Sequence, residues 1–95
     1  MRVIGRKRLA DFCDKHGDAR DWISTWVGEV EAAVWRSPHD IRKRFVTVSF
    51  LGGGGVVFNV KGNKYRLMAL VAYQTQLVIV QWLGTHAEYD KQDFE

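Results

Sequence analysis

Arg66, His86 and Tyr89 are residues of the types that handle a phosphodiester. A guanidinium presents a planar fork of donors that binds two phosphate oxygens and holds the extra charge of a pentacoordinate transition state. An imidazole ordinarily titrates at about 6.5, which suits it to accept or release a proton near neutral pH. An RNA substrate carries its own nucleophile, the 2′-hydroxyl, so the protein supplies positioning and proton transfer rather than a covalent residue or a metal. Each side chain also has an ordinary reading: Arg66 as a surface strand cation, His86 as the start of a helix, Tyr89 as a cover for the core.

Whether the three can meet depends on strand register. Gly62–Asn63 is a two-residue hairpin signal between VVFNVK and KYRLMALVAY, and Gln74, Thr75 and Gln76 connect the latter to LVIVQWLG. A hairpin centred on Gly62–Asn63 sets Arg66 opposite Asn59. One centred on Thr75 sets Arg66 opposite Gly84. Directly opposite residues share a face of the sheet. One row then reads Asn59, Arg66, Gly84, with His86 just beyond if the strand persists, and the glycine leaves an open space beside the guanidinium.

The elements that must hold this row divide the chain into helices first and sheet second. Leu9, Phe12, Cys13 and His16 recur at helical spacing, with Gly17 as a stop. Trp22, Ile23, Trp26, Val27, Val30, Ala33 and Val34 form a second apolar stripe, read as core packing, with Asp21 favouring its first turn. Ser37, Pro38 and Asp40 signal the start of a short third helix reaching Arg44. Beyond it VTVSF and VVFNV are β-branched and aromatic runs separated by LGGGG. The three later strands form an antiparallel meander, joined by VTVSF and by Arg2–Ile4 as an extra strand. The expected fold is α+β, N-terminal helices packed on an antiparallel sheet.

At 95 residues, 46% hydrophobic and 13% aromatic, the chain is expected to form one domain spanning residues 1–95. No window offers the roughly 20 apolar residues needed to cross a bilayer, and no signal-type apolar core follows Arg2, Arg6, Lys7 and Arg8, which points to the cytoplasm and to no membrane partner. A lone Cys13 excludes an internal disulfide. Residues 1–40 balance seven basic against seven acidic side chains, whereas residues 41–87 carry Arg42, Lys43, Arg44, Lys61, Lys64 and Arg66 and no acid. Such a segment attracts polyanions or an acidic partner. Cys13 and His16 lack a second ligand pair for zinc, and LGGGG lacks the Lys and Ser/Thr of a phosphate loop, so no metal and no cofactor are expected.

VVFNVKGNKYRL, residues 56–67, followed by GTHAEYDK, residues 84–91, resembles the HigB family of bacterial toxins within the RelE/ParE superfamily; RVIGRKRLADF and WRSPHDIRKRF resemble it more loosely. The resemblance implies a RelE-like microbial RNase fold. It implies an mRNA endoribonuclease of a type II toxin–antitoxin module, acting on the translating ribosome without metal and restrained by a helix-turn-helix antitoxin of HigA type. Transferred to this chain, Arg66 would hold the scissile phosphate, His86 would transfer a proton, and Tyr89 would stack on or hydrogen-bond a base. Lys61, Lys64 and Lys91 would hold flanking phosphates, and Asn59 and Asn63 belong to the same first motif. Gly55 and Gln81 stand where the family pattern favours basic residues, a departure that implies weaker RNA binding, a shifted catalytic arrangement or an impaired toxin. A relative that binds RNA without cutting it, and a gyrase poison as in the ParE branch, are the alternative functions.

Overall fold

The computed structural model of the protein describes residues 1–93. A short strand β1 (Arg2–Ile4) leads into helix α1 (Arg6–Lys15), a 3-10 turn (Gly17–Ala19), α2 (Arg20–Ala32) and α3 (Pro38–Arg44). Strands β2 (Ser49–Phe50), β3 (Gly55–Val60), β4 (Tyr65–Ala72) and β5 (Leu77–Thr85) follow, and then a short helix, α4 (His86–Asp90). The five strands form one sheet in the order β1-β5-β4-β3-β2. The α+β architecture expected from the sequence is therefore present, with one change. β1 pairs parallel to β5, which makes the sheet mixed. Only strands joined by a tight turn must run antiparallel, and nearly the whole chain separates these two.

The helices cover one face. From α1 come Leu9, Phe12 and Cys13, from α2 Ile23, Trp26 and Val30, and from α3 Ile41. They meet the alternate residues Val56, Phe58 and Val60 of β3, Tyr65, Leu67, Ala69 and Val71 of β4, and Val78 and Val80 of β5. Trp26 meets Phe58 edge-on at 5.3 Å, and Phe58 meets Phe45 at 5.2 Å. Each fully buried aliphatic side chain in such a layer contributes about 1.5–3 kcal/mol.

Three local expectations shift. α2 stops at Ala32, where Ala33 turns extended and the N-terminal ammonium of Met1 donates to its carbonyl; Val34, counted in the apolar stripe, is 65% exposed. Ser37 sits at the start of α3 without a side-chain cap, and the Asp40 carboxylate instead accepts the Arg36 N–H at 2.8 Å. VTVSF contributes only Ser49 and Phe50 to the sheet, and Val46 lies 73% exposed before them.

Register decides the rest. Asn59 pairs with Arg66 and Arg66 with Gly84, as the hairpin argument required. The first turn is nevertheless four residues, Lys61 to Lys64, with positive φ at Lys61 (54°) and Gly62 (71°). In the second hairpin the pairing shifts between Met68 and Ala69: Met68 faces Trp82 while Ala69 faces Val80, which leaves Gln81 as a bulge.

Asp18, in the 3-10 turn, holds the first hairpin to the helical layer. Its carboxylate accepts the Tyr65 hydroxyl at 2.7 Å, pairs with Lys64, and lies 3.9 Å from Lys61. The hydrogen bond from Lys64, then that from Tyr65, lowers its pKa to about 2. A carboxylate depressed in the folded state contributes stability at pH values above its unfolded pKa, about 3.9, and that contribution disappears as pH falls toward the folded value. We expect the thermal midpoint of the wild type to drop between about pH 4 and pH 2, and Asp18→Asn to show a smaller drop across that window, as followed by circular dichroism. Equal drops would remove Asp18 from the acid sensitivity.

Candidate functional site

Past Gln81 the bulge hands Trp82 and Gly84 to the face of the sheet that carries Arg66. Leu83 goes the other way and packs against the helical core. The strand does not persist to His86. Thr85 caps α4 by accepting the Glu88 N–H at 3.1 Å, while the Glu88 carboxylate accepts the Thr85 N–H at 2.8 Å. That second bond is the main reason the pKa of Glu88 is lowered. The cap turns the chain back over the sheet, and the His86 N–H donates to the Lys64 carbonyl at 3.3 Å.

Arg66 and His86 consequently meet. Nη2 of the guanidinium lies 2.9 Å from Nε2 of the imidazole. A guanidinium can only donate, so Nε2 is the acceptor and the ring proton sits on Nδ1. Nδ1 is 3.4 Å from the Asp90 carboxylate, one helical turn away. The guanidinium carbon lies 4.7 Å from the centre of the Tyr89 ring. Tyr89 in turn packs on Trp82, ring centres 5.9 Å apart and tilted by 59°. The Arg66 Nε–H is buried and finds no acceptor among the described residues. Arg66, His86 and Tyr89 thus form one cluster, oriented by Asp90 from one side and Trp82 from the other.

The open space expected at Gly84 is not there. A Cβ at this position would stand 2.6 Å from Cη2 and Cζ2 of Trp82 and 3.0 Å from the Glu88 carboxylate. The glycine makes room for an indole that lies along the strand, so the guanidinium is flanked by aromatic rings rather than by a hollow.

The remaining candidates gather elsewhere. Lys61 and Lys64 are engaged with Asp18 at the hairpin turn. The Asn59 amide donates to the Thr47 carbonyl at 3.2 Å. Asn59, Lys61 and Asn63 line a cleft of about 760 Å³ against α2, whose walls include Trp22, Asp21 and Arg44. Lys91 is the exposed C-cap of α4. Gly55 is buried, its Cβ direction only 3.1 Å from Leu51, and Gln81 is exposed at the bulge. Trp82 and Asp90 were not among the sequence candidates. Trp82 stands two residues before Gly84, the spacing at which an aromatic ring can cover a strand glycine, and Asp90 stands four after His86, one helical turn. Among the described residues no three His, Cys, Asp or Glu side chains converge on a common point, and no helix is long and apolar enough to cross a membrane.

The indole–glycine contact makes a measurable claim. Gly84→Ala should destabilise the protein by about 1–3 kcal/mol, the usual cost of overpacking. Trp82→Leu in the same chain should recover part of that loss. Denaturant unfolding of the two single variants and the double variant reads this coupling, and additive losses would mean that the two positions do not touch.

Residues 19–92 match the family model described as HigB toxin, the RelE-like toxic component of a toxin–antitoxin system. The chain is 25% identical over 92 residues to the mRNA interferase toxin HigB of Escherichia coli K12, covering 95% of this chain and 88% of that protein. The mRNA interferases HigB of Escherichia coli O157:H7 and Shigella flexneri match to the same extent.

Proposed function

Because the chain belongs to the HigB family of RelE-like toxins, we propose that it is an endoribonuclease that cuts mRNA on the translating ribosome and so stops translation. The Arg66–His86 contact, a phosphate-binding fork at 2.9 Å from an imidazole lone pair, carries this reading. The substrate's 2′-hydroxyl attacks the scissile phosphorus, His86 Nε2 takes its proton, and the P–O5′ bond breaks. The products are a 2′,3′-cyclic phosphate and a 5′-hydroxyl, the leaving oxygen taking a proton from solvent. Electrons and protons balance without a redox partner.

Magnitudes favour the exchange that this step requires. The neutral imidazole offers Arg66 one acceptor, worth about 1.5–3 kcal/mol as a hydrogen bond to a charged group. A phosphate offers a charged, bidentate partner and an acceptor for the orphaned Nε–H, so it outcompetes the imidazole for the guanidinium. As Arg66 turns to the phosphate, Nε2 is released to act on the neighbouring hydroxyl. The cation–π contact with Tyr89, about 0.5–2 kcal/mol, survives that rotation and keeps the charge in place. Asp90 holds the tautomer in which Nε2 is the free nitrogen. Lys91, the β3 residue Asn59 and the turn residues Lys61, Asn63 and Lys64 hold flanking RNA, the lysines of the turn exchanging Asp18 for phosphate. The antitoxin is a helix-turn-helix protein of HigA type.

Mapping the 5′ ends of transcripts after brief induction tests the reading. The wild type should produce new cuts positioned by codon. Arg66→Ala and His86→Ala should each reduce them by at least about 100-fold, the usual weight of a positioned general base or an electrostatic clamp, with the folded protein still accumulating. Soluble variants that cut as well as the wild type would sink the assignment. DNA breaks without RNA cuts would make the protein a gyrase poison.

A further inference from the structure

A second cleft, between α1 and the end of β5, has no part in the reaction described above. Its walls include Arg8, Phe12, Lys15, His16, Trp82 and Glu88, and its volume is about 320 Å³. That is the small end of the range for ligand sites, about 300–1,000 Å³, enough for a nucleotide and too little for a folded segment.

The charge around it is mixed, with Arg8 and Lys15 standing among Asp11 and Glu88. Asp11 is engaged with Lys7 at 3.2 Å; Glu88 accepts the Thr85 N–H at 2.8 Å and keeps its charge, which His16 and Lys15 help to stabilise. Arg8 and Lys15 are exposed, and among the described residues neither forms an ion pair. Trp82 is half-buried and common to both places: it lines this cleft and packs on Tyr89, which carries the Arg66 guanidinium. An aromatic face with exposed cations beside it is the chemistry that holds single-stranded nucleic acid.

We infer that this cleft is a nucleotide subsite, in which a base next to the scissile phosphate stacks on Trp82 and its phosphate meets Arg8 and Lys15. The inference rests on the endoribonuclease reading and extends it to substrate selection. Loss of one stacked base on an aromatic ring lowers affinity by about 5- to 150-fold. Purines stack more strongly than pyrimidines, so the subsite favours a purine at one position beside the cut. Gly84 serves the same subsite, since a Cβ there would displace the ring.

The experiment maps transcript 5′ ends after brief induction of the wild type, Trp82→Phe, Trp82→Leu and the double variant Arg8→Ala/Lys15→Ala, each as the full chain. The wild type and Trp82→Phe should favour a purine at one nucleotide flanking the cut. Trp82→Leu fills the space without a π face; it should lose that preference and cut about 5- to 150-fold less. The double variant should cut less at all sites alike with the preference intact. The subsite is overturned if Trp82→Leu keeps the wild-type base pattern, whether its cuts fall in number or not, because Trp82 then only supports Tyr89. It is also overturned if the wild type shows no base preference beside its cuts. Trp82→Leu that cuts normally but escapes the antitoxin would make the cleft a protein contact instead. A wild type that makes no cuts removes the endoribonuclease reading itself, an outcome separable from all of these.

Discussion

Gln81 has no partner on β4: Met68 faces Trp82, Ala69 faces Val80, and the residue between them is left over. Because side chains alternate along a strand, one inserted residue exchanges the faces of everything beyond it. Before the bulge, Val78 and Val80 point into the helical core. After it, Leu83 does so, and Trp82 and Gly84 join Arg66 on the other face. Were Gln81 instead paired with Met68 in a regular ladder, Arg66 would oppose Leu83, Trp82 would be driven into the core, and the cap at Thr85 would lead α4 away from the guanidinium. The reactive cluster is a consequence of a count of residues between a hairpin turn and a helix cap.

Given that geometry, the cluster is held by contacts of graded strength. The guanidinium sits on Tyr89 by cation–π attraction, Tyr89 leans on Trp82, and Trp82 lies along the strand where Gly84 has no Cβ. Each contact is worth about 0.5–2 kcal/mol, below the interaction of an arginine with a phosphate. The aromatic stack therefore aims the guanidinium without committing it, and the weak partner His86 yields first when a stronger acceptor arrives. A buried salt bridge in place of His86 would have held the same geometry and resisted that exchange.

Much of this could be read from the residues alone, and the failures have particular causes. The row Asn59, Arg66, Gly84 followed from turn signals and alternation. The second hairpin gave that pairing only because the bulge offsets a turn that sits half a residue from the position assumed, and a bulge leaves no composition mark. His86 was placed near Arg66 by extending a strand, whereas a capping box delivers it, although Thr85 and Glu88 are visible in the sequence as that motif. The hollow at Gly84 failed because a glycine in a strand reports close approach and not its direction; here a neighbouring ring makes the approach. Lys61 and Lys64 were read as free cations because their partner, Asp18, lies more than forty positions away in sequence.

The two departures from the family pattern also acquire a physical meaning. Gly55 opens β3 with its Cβ direction against Leu51, so a long basic side chain there would have to displace the loop that precedes the strand. Gln81 is the bulged residue, exposed and unpaired, and its backbone sets the register whatever side chain it carries. Positive charge missing at these positions has a counterpart beside α1, where Arg8 and Lys15 stand exposed around the cleft that Trp82 lines. A polyanion is bound by the sum of charges along its path, and the contribution of each depends on whether an acid already holds it. By that measure both flanks present cations already in the field of an acid, Lys61 and Lys64 held by Asp18 at the hairpin turn and Lys15 facing Glu88 beside α1, and RNA must compete with a carboxylate at either.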